Sequence, residues 1–298
     1  MTMFSKIFRA LWGLPSSFST PLAPRIVMTL LVKDEEDILE QNLLFHHSMG
    51  VDAFIVTDNN SSDGTLGIID KYEKKGWIVE VIRETACDYS QKKWVDRMVM
   101  LAIRKYAADW VINADADEFW YPPQGSFPKY LSGVNANVLH CSVVNVYPEP
   151  GLFWQEWSQT VREVVDAERF GLSPYSLFSH HKGKVMHRAN GYIQISMGNH
   201  KVLMLWRRQQ HSDIIVYHYP VRGKEHFLRK MINGGKQLEQ NLRKRGGRHW
   251  RYCYELHKQG KLEEEYERMV GSKCRAQLIQ GGFIVPDQRM KNLLAHLV

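Results

Sequence analysis

The chain has 298 residues, 44% of them hydrophobic and 24% charged, which is enough apolar surface for one large α/β domain and excludes disorder beyond the ends. A formal charge of +7 favours anionic partners, among them nucleotides, anionic lipids and nucleic acid, without choosing between them. Cys87, Cys141, Cys253 and Cys274 form no CxxC pair, which excludes a zinc ribbon or disulfide scaffold and fits a reducing compartment.

No apolar run reaches the roughly 20 residues that span a bilayer, and the N-terminus lacks a signal-peptide pattern, so a cytoplasmic protein is expected. Residues 1–24 read as an amphipathic segment and linker. Phe4, Ile7, Phe8, Leu11 and Trp12 share helical spacing with Lys6 and Arg9, a basic surface suited to peripheral contact with the inner face of a membrane.

Ile26 to Val32 then predicts a buried strand ending at Lys33 and Asp34, and ILEQNLLFHHSMG a helix stopped by Gly50. His46 and His47 are expected on that helix's surface. AFIVTD (53–58) predicts a strand, TLGIIDKYEKKG (65–76) a helix and WIVEVIRE (77–84) a strand. SQKKWVDRMVMLAIRKY (90–106) predicts a helix and DWVINAD (109–115) a fourth strand. Strands alternating with helices imply a doubly wound, mainly parallel sheet, in which ligands bind outside the carboxyl ends of the strands where the winding reverses.

Acidic residues stand at three of those four strand ends, Asp34, Asp58 and Asp115, and Asp117 and Glu118 follow at once. Any one of them would pass for ordinary turn chemistry. Together they place more negative charge at one rim than an interior tolerates without protons or a cation. Mg2+ or Mn2+ meets that requirement with few carboxylates when phosphate and water complete its shell. No GxxxxGK[ST] and no GxGxxG occurs, which excludes a P-loop and weakens a Rossmann dehydrogenase reading.

LLVKDEEDIL, VTDNNSSDGT and INADADEFW, in this order, resemble the nucleotide-binding half of glycosyltransferase family 2 and its GT-A relatives, especially the bacterial group allied to glycosyltransferase family 92. The resemblance covers residues 25–122 and continues more weakly to about 235. It implies a GT-A type α/β fold in which 25–122 binds a nucleotide-sugar and 123–235 forms the acceptor side; 236–298, by its own charge-rich helical pattern, reads as a basic helical region. Asp58 is implied to bond the nucleotide base, commonly uracil, with Asp34 lining the same pocket. DADE is implied to be the DxD motif, with Asp115 toward ribose and metal and Asp117 as principal ligand of Mn2+ or Mg2+. Lys33-Asp34 departs from the Asn-Glu pair of many family 2 members.

In the second half, LFWQEWSQTVREV sets Trp154 and Trp157 beside Glu156, either core residues or a sugar platform with a catalytic base. Glu156 is the candidate base; Glu118, Glu149, Glu163 and Asp166 stay open, Glu118 alternatively fixing the metal site. His218 resembles the late histidine that completes the metal shell in several GT-A enzymes, with His200 its rival. Arg222 and Lys224 are candidates for the leaving diphosphate, as are Lys182, Lys184 and Arg188.

The expected function is metal-dependent transfer of a sugar, with inversion, from a nucleotide-sugar donor to a saccharide or lipid-linked acceptor in bacterial surface-glycan synthesis. A nucleotidyltransferase is the competing enzyme class, but KDEED offers none of the Gly- and Arg-rich loop it needs. A nucleic-acid-binding protein is the non-enzymatic alternative, and the spread of positive charge without a motif speaks against it.

Overall fold

The computed structural model describes residues 23–85, 91–239 and 247–297. The amphipathic segment expected at the N-terminus lies almost wholly outside the described residues. The chain divides into two compact units, one comprising residues 1–85, 90–143 and 182–216, the other 86–89, 144–181 and 217–298.

The first unit opens with β1 (Ile26–Val32), α1 (Leu39–Ser48), β2 (Ala53–Asp58), α2 (Thr65–Lys74), β3 (Ile78–Arg83), α3 (Gln91–Arg104) and β4 (Trp110–Asp115), each element where the apolar patterning predicts it. β5 (Glu118–Tyr121), α4 (Phe127–Leu131), β6 (Val138–Asn145), β8 (Lys184–Arg188), β9 (Tyr192–Ile195), β10 (Val202–Met204) and β11 (Gln209–His218) follow, with β7 (Gln159–Val161) belonging to the second unit. The central sheet has eight strands in the order β3-β2-β1-β4-β8-β6-β11-β5.

β1 pairs in parallel with β2 and β4, and β2 with β3, whereas β8 runs antiparallel to both β4 and β6. The expected α/β class and doubly wound parallel half are therefore the ones observed. The chain winds outward from β1 to β3 and then returns across β1 to place β4 on its other side. Register levels the strand ends at this reversal, because Asp58 stands opposite Val32 and Asp115 opposite Leu31. Loops leaving β1, β2 and β4 thus open at one rim.

β1 and β2 read as continuous apolar runs because both faces of their sheet are covered. Val27, Ala53, Ile55 and Val111 pack with Val95, Met98, Val99 and Ala102 of α3 in one core. Beneath the rim a polar chain crosses the strands. Thr29 donates to Asn113 Oδ1 at 2.7 Å, Asn113 Nδ2 lies 3.2 Å from His187 Nε2, and Asn199 Nδ2 donates to the Asn113 carbonyl. Burial holds His187 neutral, its pKa lowered to about 4.

His46 departs from its expected surface position. It is wholly buried, and its Nε2 accepts a bond from the Trp120 amide at 3.0 Å. Helical spacing sets His46 on the same face as Asn42, so both meet β5, while His47 stays outside and stacks on Trp77 at 3.7 Å.

In the second unit, β7 pairs antiparallel with β12 (Ile284–Pro286). Helices α5 (Lys224–Glu239), α6 (Arg248–Lys258), α7 (Leu262–Val270), α8 (Arg275–Gln280) and α9 (Arg289–Leu294) complete it. Its core joins Tyr147, Leu177, Phe178, Phe227, Cys253, Met269 and Leu278. Gly234 and Gly235 let α5 approach α6, since a Cβ on Gly234 would come within 2.7 Å of the Trp250 ring and one on Gly235 would strike Tyr254. Among the described residues no helix is long and apolar enough to cross a membrane.

Candidate functional site

The first loop at the rim follows β1. Asp34 has φ 53°, a left-handed conformation that turns the chain sharply off the strand. Its carboxylate accepts from the Ser62 amide at 2.7 Å and from Ser62 Oγ at 3.1 Å. Lys33 Nζ donates to the carbonyls of Asn59 and Asn60, each at 3.0 Å, and the Glu35 amide donates to Thr65 Oγ1. The loops after β1 and β2 are thereby clasped together, and the departure at Lys33-Asp34 supplies the clasp. Asp58 is buried at the end of β2, and both its carboxylate oxygens lie 3.3 Å from the Ser61 amide.

The second loop is the turn Asp115-Ala116-Asp117-Glu118 between β4 and β5. Asn42 on α1 fixes it from below, its Nδ2 donating at 2.9 Å to the carbonyls of both Ala116 and Glu118. Asp117 and Glu118 are buried, whereas the Asp115 side chain is 37% exposed and is the one that meets solvent.

One lysine answers this charge. Lys184, the first residue of β8, is buried with Nζ 2.6 Å from Glu118 Oε1 and 3.3 Å from Asp115 Oδ2. Lys184, a phosphate candidate in the sequence, is thus an ion-pair partner of the acidic turn. Burial raises the Glu118 carboxyl above the usual carboxylate range, the Lys184 ammonium opposes the rise, and Asp115 and Asp117 reinforce it. Burial disfavours the Lys184 charge as well, but Glu118 and Asp115 outweigh it and hold the ammonium protonated.

The backbone carrying Lys184 is anchored. Gly183 adopts φ +71°, and a Cβ there would come within 2.5 Å of the His140 ring and 2.8 Å of the Cys141 carbonyl. His200 Nδ1 lies 2.6 Å from the Gly183 carbonyl, so the neutral ring donates through Nδ1 and carries its lone pair on Nε2. Burial lowers the His200 pKa, the Gly183 bond opposing it, with Lys184 and Lys182 lowering it further.

Among the described residues no group of three or more His, Cys, Asp or Glu side chains is arranged to hold a metal by itself. Asp115 and Asp117 still present the hard oxygens that Mg2+ and Mn2+ favour, in the small number such ions use when phosphate and water complete the shell. The donor set fits a divalent ion whose remaining ligands come from outside the turn.

The remaining predicted residues lie in the second unit. Trp154 and Trp157 are buried against Tyr219, with ring centroids at 5.2 Å and 6.2 Å, so packing rather than an open platform accounts for them. Glu156 is exposed, its Oε2 accepting from the Phe153 amide at 3.1 Å. Of the alternative bases, Glu149 accepts from Ser158, Glu163 lies 2.8 Å from His180 Nδ1, and Asp166 accepts from the Arg169 amide. His218 Nδ1 is 2.8 Å from Asn145 Oδ1, Arg222 Nη1 donates to the Tyr219 carbonyl, and Lys224 pairs with Glu263 at 2.6 Å. In the first unit Arg188 donates to the Val134 and Ala136 carbonyls and sits 4.7 Å from the Trp110 ring, a structural role.

Asn42, His46 and Lys184 are the contributors that sequence reasoning missed or misassigned. The four-residue spacing of Asn42 and His46 on an otherwise apolar helix face was the available signal for two of them. Nothing local marks Lys184, which reaches the turn only through β4–β8 pairing.

No curated protein matches the sequence. Among solved structures, the chain is similar to S. aureus TarS at 15% identity, covering 80% of this chain and 43% of that one with a TM-score of 0.41. It is similar to TarS 1–349 in complex with UDP at 14% identity, covering 82% and 71%, TM-score 0.41. It is also similar to the mannosyltransferase PcManGT from Pyrobaculum calidifontis in complex with GDP-Man and Mn2+ at 13% identity, covering 99% and 92%, TM-score 0.43. The chain thus spans less than half the length of the TarS chain it matches. The family profile described as glycosyltransferase family 92 matches residues 30–270, most of the sequence, and the chain belongs to that family.

Proposed function

We propose that the chain is a metal-dependent glycosyltransferase that moves a sugar from a nucleotide-sugar donor, UDP-linked, to a saccharide or lipid-linked acceptor, with inversion, in bacterial surface-glycan synthesis. The observation that carries the reading is the levelling of Asp58 and Asp115 at the rim where the sheet's winding reverses, with Asp117 two residues beyond. Family membership favours sugar transfer over a nucleotidyltransferase or a nucleic-acid-binding protein.

In this reading Asp58, held at a fixed angle by its backbone, accepts a bond from a base N–H, and the clasp made by Asp34 keeps the pocket's loops in register. Asp115 and Asp117 hold Mn2+ or Mg2+, which when bound offsets charge on the departing diphosphate. Glu156 takes the proton from the acceptor hydroxyl through a carboxylate oxygen. His218 remains the candidate further metal ligand, and His200, Arg222 and Lys224 the candidates for diphosphate or substrate. Peripheral membrane contact is assigned to the basic N-terminal segment.

The test is release of nucleoside diphosphate across a panel of sugar nucleotides with Mn2+ present. UDP release from one UDP-sugar, abolished by Asp117→Ala and retained by neutral surface variants, supports the reading. No release from any donor, together with no Mn2+-dependent stabilisation by UDP or GDP, sinks it.

A further inference from the structure

An acidic turn built to hold a divalent ion ordinarily leaves its carboxylates to that ion, yet here a lysine already occupies one side of it. Lys184 Nζ contacts Glu118 Oε1 at 2.6 Å and Asp115 Oδ2 at 3.3 Å, and the side chain is buried. The backbone that carries the ammonium is fixed. The antiparallel register of β8 on β4 carries it to the carboxyl end of β4, Gly183 just before it admits no side chain, and His200 grips the Gly183 carbonyl.

Two cations sharing the Asp115 carboxylate repel each other. A divalent ion arriving alone therefore meets a rim already partly neutralised by Lys184. A metal bridged to a diphosphate brings its own negative charge, which offsets both the ion and Lys184.

We infer that Lys184 is a positioning residue, a resident cation that suppresses divalent binding to Asp115 and Asp117 until a nucleoside diphosphate is present, so that metal and donor bind as one unit. The inference rests on the donor-site reading above and adds an order to it. Coupling of this kind is reciprocal, so UDP strengthens Mn2+ binding by the same factor that Mn2+ strengthens UDP binding.

The experiment measures bound Mn2+ by loss of the free-ion electron paramagnetic resonance signal, with and without UDP, for wild type, Lys184→Met, Lys184→Arg and the double variant Lys184→Met/Glu118→Gln. The double variant removes both charges of the buried pair and so keeps the test open if Lys184→Met fails to fold. Wild type is expected to bind Mn2+ alone at least about tenfold more weakly than with UDP. Lys184→Met, or the double variant, is expected to bind Mn2+ alone about tenfold more tightly than wild type, with the UDP-dependent ratio falling toward one; Lys184→Arg keeps the wild-type ratio. Equal Mn2+ affinity without UDP in wild type and the lysine-free variants, while all still bind Mn2+ with UDP, overturns the role of Lys184 and leaves the donor site standing. Failure of wild type to bind Mn2+ even with UDP overturns the donor site itself and this inference with it.

Discussion

Lys184 Nζ and Glu118 Oε1 meet at 2.6 Å with both side chains withdrawn from solvent. Removing one member of a buried ion pair strands the other, at about 3–5 kcal/mol, whereas removing both in matched shape is often near neutral. Lys184→Met is expected to lose stability on that scale and Lys184→Met/Glu118→Gln to recover most of it. Guanidinium unfolding of the two variants reads the difference directly; equal losses would show that the pair is not the source.

Asp117 is expected to carry the metal-dependent part of nucleotide binding. Saturating UDP with Mn2+ at about 100 times its dissociation constant stabilises a native state by roughly 2.7 kcal/mol. Asp117→Ala should lose nearly all of the Mn2+-dependent increment in a thermal melt while keeping its far-ultraviolet circular dichroism. A full increment in the variant would remove Asp117 from the ligand set.

Gly183 sits at φ +71° with the His140 ring and Cys141 carbonyl against its Cα face. A side chain there is strained both by the left-handed backbone and by contact, at about 1–3 kcal/mol. Gly183→Ala is expected to lower the unfolding midpoint accordingly and, by shifting the start of β8, to weaken UDP binding with Mn2+. Isothermal titration checks the second effect separately from the first.

Acid should act on His46. Burial lowers its pKa from the ordinary 6.5 to about 3, opposed only by the bond to the Asn42 carbonyl. A group depressed in the folded state contributes stability that is complete above its unfolded pKa and is lost as pH falls toward the folded one. Wild type should therefore lose about 1.4 kcal/mol per pH unit relative to His46→Gln between pH 6.5 and 3. Parallel unfolding curves across that window would refute the assignment. The bond from the Trp120 amide to Nε2 also requires the Nδ1–H tautomer, which nitrogen chemical shifts report.

The sequence by itself determined the strand and helix alternation through Asp115 and the acidic strand ends Asp34, Asp58 and Asp115, because apolar period and turn chemistry are local properties of the chain. It also carried the family, through three motifs at the ends of β1, β2 and β4. Register decided the rest. Only the pairing of β1 with β2 and β4 levels Asp58 with Asp115, and only β8 lying antiparallel on β4 brings Lys184 to a turn that precedes it by 66 positions, Glu118 to Lys184. His46 and Trp154 look alike as surface or core until their neighbours exist, since burial is a property of packed elements rather than of the residues that compose them.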